Sequence, residues 1–299
     1  MNSKPPNRTA AGAPMLVVAM NAVAGDAVSD PSGADIFKPV ACEVVRRRGR
    51  SDHVKILVTG GAKELGRAFS EELGARGHEL VITGRDRKAL DAVEADLTAA
   101  GVQVETHVAD LGDPLATPKL IESLDGIDVL VNNGALGGPV GPTWQVDENE
   151  WWHTFEVNLR GTAFATNAAI RRMTRGRIIN VISNAGVKRW PYLTAYSVSK
   201  AAVIKLTENL AIEVKDRPLA VLCYDPGLLD IGLMRRGMER SADPRTADDP
   251  VWPRLSRWAQ SLQDQGKFTP VEQSAALLAR IAEGEFDDLS GGVITQEHV

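Results

Sequence analysis

Tyr196 and Lys200 stand four residues apart in Tyr196-Ser197-Val198-Ser199-Lys200, a spacing that puts both side chains on one face of a helix. A free phenol has a pKa of about 10 and moves protons poorly at neutral pH. A fixed ammonium beside it favours the phenolate and lowers that value. A phenol tuned in this way can hand a proton to a ketone or take one from an alcohol. A solvated helix face also carries Tyr and Lys at this spacing by chance, so the pair acquires meaning only from the elements that hold it.

Those elements alternate. The run Val54-Lys55-Ile56-Leu57-Val58-Thr59 reads as a strand, breaks at Gly60-Gly61, and gives way to helical periodicity from Leu65. The same scheme recurs with strands over Leu80–Ile82, Val102–Val108 and Asp128–Val131 and helices over Arg87–Ala100 and Leu115–Leu124. A long helical stretch from Glu148 to Met173 then leads to a buried strand over Arg177–Ile182 that ends at Ser183. The helix bearing Tyr196 and Lys200 runs to about Lys215, and a strand over Leu219–Tyr224 is stopped by Asp225-Pro226-Gly227. Between Leu228 and Phe268 the periodicity is poor, with Pro244, Pro250 and Pro253 as breakers, which predicts a mobile cover. A last helix over Pro270–Glu283 and a strand near Gly291–Thr295 close the chain. Alternation of this kind predicts an α/β fold, a doubly wound parallel sheet of about seven strands in a single domain. Open sheets of this class bind ligands at the carboxyl ends of their strands. The polar residues fall there: Thr59-Gly60-Gly61, Asp110, Asn132-Asn133, Ser183 and Pro226-Gly227. Glycines after the first strand let the backbone approach a pyrophosphate at the helix N-terminus behind them.

Composition narrows the class. A chain of 299 residues is long enough for one large α/β core. Its net charge of −5 supplies no basic face for nucleic acid. Cys42 and Cys223 alone make neither a disulfide framework nor a cysteine-based metal site, which fits a reducing cytoplasm. No run approaches the ~18 apolar residues of a membrane span. Residues 1–52, rich in Pro, Gly, Ala and Ser, predict a flexible N-terminal extension. Their stretch from Met15 to Ala24 loosely imitates a secretory signal. The folded domain is expected over 53–299, with 228–268 as the cover.

From about Val54 to Thr295 the chain resembles the short-chain dehydrogenase/reductase family. Thr59-Gly60-Gly61-Ala62-Lys63-Glu64-Leu65-Gly66 is similar to its TGxxxGxG turn, and Asn132-Asn133-Gly134-Ala135 to its NNAG. Asn158 sits where the family's helix asparagine falls, and Ser183 lies thirteen residues before Tyr196 as the family's serine does. The resemblance implies a Rossmann-type fold and interconversion of a carbonyl compound and a secondary alcohol with a nicotinamide dinucleotide. It implies Tyr196 as proton donor or acceptor, and Lys200 lowering the tyrosine pKa and reaching the nicotinamide ribose. Ser183 would hold the substrate oxygen, and Asn158 would position a relay water. The cofactor contacts it implies are Gly60, Lys63, Leu65, Gly66, Asp110, Leu111, Asn133, Gly134, Pro226 and Gly227, with Tyr196 and Lys200. A homodimer or homotetramer is expected from the helices following Glu148 and Ser197.

Charge bears on cofactor choice. An acid at the end of the second strand would bind a ribose hydroxyl, whereas arginine accommodates the 2′-phosphate of NADP. Thr83-Gly84-Arg85, with Lys63 in the glycine turn, points to NADP. Three features depart from the family pattern: Glu64 replaces the middle glycine, Gly134-Ala135 inverts the usual order, and Ile231 stands where a threonine is common. A carboxylate near a pyrophosphate repels it. A second reading therefore stays open, a Rossmann-fold dinucleotide-binding or regulatory protein with catalysis impaired by Glu64, unless that side chain turns outward or pairs with Lys63 or Arg67. Trp190, Tyr192, Leu193, Leu229, Met234 and Trp252 are candidates for an apolar substrate pocket. The arginines at 235, 236, 240, 254 and 257 read either as solvated faces or as partners for an acidic substrate.

Overall fold

The computed structural model describes residues 53–232, 235 and 251–298. The expected extension over 1–52 and, within the expected cover, residues 233–234 and 236–250, Met234 among them, lie outside the described residues. The described chain builds one seven-stranded sheet, every pairing parallel. The strands are β1 (Lys55–Thr59), β2 (Glu79–Gly84), β3 (Val104–Val108), β4 (Val129–Asn132), β5 (Gly176–Val181), β6 (Leu219–Tyr224) and β7 (Val293–Ile294). Their spatial order, β3-β2-β1-β4-β5-β6-β7, reverses between β1 and β4, the point at which Rossmann-type sheets open a crevice.

Both faces of the sheet are covered, which explains the near-continuous apolar strands. Successive side chains point to opposite faces. Ile56 and Val58 of β1 therefore join Phe69 and Leu73 in one core, while Leu57 joins Leu130, Ile178 and Val221 in the other. The first core is roofed by α1 (Glu64–Ala75), α2 (Arg87–Ala99) and, late in the chain, α8 (Val271–Ala282); the second by α3 (Ala116–Ser123), α5 (Thr162–Arg172) and α6 (Thr194–Glu213). Asp86 caps α2 by accepting from Ala89 N at 3.3 Å, and Asp147 caps α4 (Glu148–Phe155) by accepting from Asn149 N and Glu150 N at 2.9 Å.

The long helix expected over Glu148–Met173 is three pieces: α4, a π-helical turn over Glu156–Gly161, and α5. Part of the expected irregular cover is a helix too, α7 (Trp252–Asp264), with Pro253 in its first turn where the missing N–H costs nothing. Among the described residues, no helix is long and apolar enough to cross a membrane.

Candidate active site

The carboxyl ends of β1, β2, β4, β5 and β6 share a single cavity of about 1480 Å³. One drug-sized ligand occupies roughly 300–1,000 Å³, so there is room for two molecules side by side. Of the residues expected at the site, Ser183, Tyr196, Lys200 and all the implied cofactor contacts line this cavity, Arg85 included; Asn158 stands behind its wall.

The glycine turn is held by backbone proximity. Gly60 has φ of +65°, and a Cβ there would lie 2.9 Å from Gly134 Cα; a Cβ on Gly66 would lie 2.1 Å from Gly60 O. Asn133 clasps this turn to the end of β4, its Nδ2 donating to Thr59 O at 3.0 Å and Gly60 O at 3.3 Å. Thr59 completes the clasp, its Oγ1 accepting from Asn133 N and Gly134 N. Asn133 thus shapes the turn with its side chain, and Thr59, quoted in the sequence only as part of a motif, is a site residue in its own right. The inverted Gly134-Ala135 also has a packing reason: a Cβ on Gly134 would meet Leu111 Cδ1 at 2.6 Å.

Unlike α2 and α4, helix α1 has no side-chain cap, and its first residues, Glu64 to Gly66, line the cavity, where uncapped helix-start amides can serve as donors for an anion. With Lys63 and Arg85 lining this end of the cavity and Lys200 its other end, this donor set fits a dinucleotide with its pyrophosphate at α1. Glu64 is the tension in that fit. It adopts φ of +49°, a left-handed conformation that favours glycine. Its carboxylate reaches away to the segment after β6, where a Cβ on Gly232 would lie 2.8 Å from Glu64 Oε2. The two cations expected to neutralise it are engaged elsewhere. Lys63 pairs with Asp86 at 2.5 Å, and Arg67 with Glu71 and Asp96, both at 2.6 Å. Asp86 was not foreseen as part of the site, although it follows Arg85 and begins a helix. Asp110 folds onto its own loop, accepting from Gly112 N at 2.8 Å, which is a turn-forming role.

At the other end of the cavity, Ser183 stands at the carboxyl end of β5 and Tyr196 and Lys200 on the first turns of α6. Lys200 Nζ lies 5.8 Å from the centre of the Tyr196 ring and donates to Val181 O at 2.7 Å. The expected lowering of the Tyr196 pKa by Lys200 is not what this geometry gives. Burial dominates and pushes the phenol up to about 12, opposed by a hydrogen bond with Ser183 and reinforced by the nearby Asp225 carboxylate. Burial likewise brings Lys200 down to about 8. Asn158, fully buried in the π-helical turn, accepts from Leu136 N at 2.7 Å and donates to Leu136 O at 2.8 Å and Ser199 Oγ at 3.0 Å. Both polar atoms of its side chain are therefore used, in three hydrogen bonds that tie the loop after β4 to α6.

Pro226 and Gly227 turn the chain over the same end, Gly227 with φ of +86° and its N–H donated to Asp225 Oδ1 at 3.1 Å. Beyond them Trp190 and Trp258 meet edge to face, ring centres 4.8 Å apart at 79°. Tyr192 adopts φ of +70°, which for a bulky side chain costs about 1–3 kcal/mol. Its carbonyl accepts from Gly141 N at 2.9 Å and its hydroxyl from Arg254 Nη1 at 2.9 Å.

A phenol, a hydroxyl and an ammonium grouped at one end of a cavity whose other end is an uncapped helix are suited to proton exchange beside a bound dinucleotide. The family model for short chain dehydrogenases matches residues 54–241. This chain belongs to the short-chain dehydrogenase/reductase family. It is 31% identical over 196 residues to dehydrogenase/reductase SDR family member 4 of Bos taurus, covering 63% of this chain and 70% of that protein. Among solved structures, NAD+-bound xylitol dehydrogenase superposes with a TM-score of 0.73 at 23% identity, covering 82% of this chain and 98% of the other. A Burkholderia cenocepacia short chain dehydrogenase in complex with NADP gives 0.66 at 24%, covering 82% and 96%. The likeness to these two structures is one of fold.

Proposed function

We propose that this dehydrogenase/reductase interconverts a carbonyl compound and a secondary alcohol using NADP(H), with Tyr196 as the proton donor or acceptor. The observation that carries the reading is the shared cavity: Tyr196, Ser183 and Lys200 open into the same space as the glycine turn and the uncapped start of α1. When bound, the nicotinamide cofactor would supply or accept the hydride. Ser183 and Tyr196 line the same end of the cavity, and Ser183 acts on the phenol's ionisation, so both hydroxyls can be directed at one substrate oxygen. The high pKa of Tyr196 keeps its proton in place at neutral pH, as reduction requires. Lys200 supplies a buried positive charge beneath the ring, and Asn158 keeps α6 in register with the loop after β4.

Replacing Tyr196 by Phe removes the transferable proton while preserving the ring. NADPH-linked reduction across a carbonyl panel is expected to fall about 10²–10⁴-fold, with NADPH affinity retained. Turnover left at the original rate would refute the assignment.

Arg85 supports NADP over NAD, since it is the first residue past β2 and faces the cavity, while Asp86 is occupied by Lys63 and by the start of α2. The related structures carry either dinucleotide in their names and do not decide the point. A second reading, a dinucleotide-binding or regulatory protein with impaired catalysis, draws on the left-handed Glu64 inside the turn. Paired calorimetric titrations with NADPH and NADH separate the two. The enzyme reading expects NADPH to bind in the micromolar range and more tightly than NADH; no detectable binding of either favours the second. Glu64→Gly relieves the left-handed backbone conformation of the turn and removes a carboxylate from the cavity wall, so NADPH is expected to bind more tightly in the variant. A cytoplasmic setting and a homodimer or homotetramer complete the proposal.

A further inference from the structure

The end of the cavity beyond Tyr196 has a composition unlike the rest. Its walls are Trp190, Leu193, Leu229, Trp252, Leu255 and Trp258, drawn from the loop before α6, the turn after β6 and α7. Among the described residues, the lysines and arginines that line the cavity are Lys63 and Arg85, on the β1 and β2 side of the sheet, and Lys200 beneath Tyr196. Arg254, on α7, has its head group on the Tyr192 hydroxyl. Among the described residues no cation is therefore presented to a substrate carboxylate at the apolar end, where burying a charge without a partner is costly.

The wall is also built rather than incidental. Tyr192 is held with a positive φ in the loop that carries Trp190, secured at its carbonyl by Gly141 and at its hydroxyl by α7. Such a conformation persists only where surrounding contacts over-determine it, and it marks places where a loop is shaped for a ligand. The result is two indole rings at right angles, Trp190 and Trp258, with the largely buried Trp252 alongside.

We infer that this is a recognition site for an uncharged ketone, or the matching alcohol, carried on a flat aromatic or fused-ring skeleton, with Trp190 and Trp258 as the specificity-determining pair. Against two indoles a planar ring system gains both apolar burial and oriented ring contacts, which a small acyclic ketone cannot match. The inference rests on the carbonyl/alcohol reading of the same site and names the class of molecule that reading left open.

The test is direct binding, so that it does not depend on turnover. Full-length protein carrying Tyr196→Phe is titrated calorimetrically, with and without saturating NADPH, with 2-acetonaphthone, 3-pentanone and the anionic 4-oxopentanoate. The naphthyl ketone is expected to bind at least tenfold more tightly than either of the others. Trp258→Ala, at a partly exposed position of α7, is expected to weaken it about tenfold, and Trp258→Phe to restore most of the loss. Equal or tighter binding of 3-pentanone or 4-oxopentanoate overturns the inference, as does no binding of the naphthyl ketone under either condition. So does an affinity within twofold of the parent in both Trp258→Ala and Trp190→Ala. Failure of the dehydrogenase reading itself would appear separately, as absent NADPH binding or undiminished turnover in the single Tyr196→Phe variant.

Discussion

Asp225, the first residue past β6, has its carboxylate accepting from Gly227 N and close enough to Tyr196 to raise the phenol's pKa. Its own pKa is raised, chiefly by burial. The direction of these shifts fixes a pH dependence. In reduction the phenol must hold its proton, which at about 12 it does throughout the ordinary range, whereas Lys200 titrates at about 8. Reduction is therefore expected to decline as pH rises through about 8, as the lysine loses its charge. Alcohol oxidation needs the phenolate and should rise with pH. Asp225→Asn keeps an acceptor for Gly227 N but removes the negative charge, so the phenolate forms more readily. The oxidation limb should move to lower pH; a pH–rate profile unaltered by the substitution would show that Asp225 does not act on Tyr196.

At the scale of elements, the site depends on how closely α1 approaches the turn that precedes it. Gly66→Ala would drive a Cβ to 2.1 Å from Gly60 O, a backbone atom that cannot swing aside. The expected cost is about 1–3 kcal/mol of stability, read as a lowered melting temperature and accompanied by loss of NADPH affinity; a melting curve superimposable on the parent's would contradict this packing. The elements themselves were largely legible in the sequence. Doubly buried parallel strands are short apolar runs, and β6 has the bounds its pattern predicts, Leu219–Tyr224. What escaped was geometry without a period of its own. A π-helical turn carries no pattern that separates it from its flanking α-helices, so the break at Glu156 was invisible. The clasp of Asn133 onto the glycine turn spans more than seventy residues of chain, and nothing local announces it. The sign of the Tyr196 shift was missed for the same reason: spacing gives the distance to a charge, whereas burial depends on everything packed around the ring.

For the molecule as a whole, the faces of α4, α5 and α6 turned away from the sheet bear apolar side chains. Trp152 is 60% exposed and Trp144, just before α4, 84%, with Phe164 and Val198 also exposed. Trp152 stacks with Phe155, itself stacked on Trp151, which makes a broad aromatic surface. A patch of this kind marks an association surface more often than a free one, in keeping with the homo-oligomer proposed. Light scattering is expected to give a dimer or tetramer for the parent protein and a smaller species for Trp152→Glu; a parent that scatters as a monomer would rule the assembly out.

The π-helical turn has a practical consequence for anyone shortening or stabilising the chain. Each residue of a regular helix advances about 100°, and a π turn accommodates its surplus by a local widening. Deleting one residue between 156 and 161 would mend the hydrogen-bond ladder and, on paper, improve the helix. It would also swing Asn158 off the loop at Leu136 and away from Ser199. The edit that best tidies the backbone here is the one that disconnects the two halves of the site.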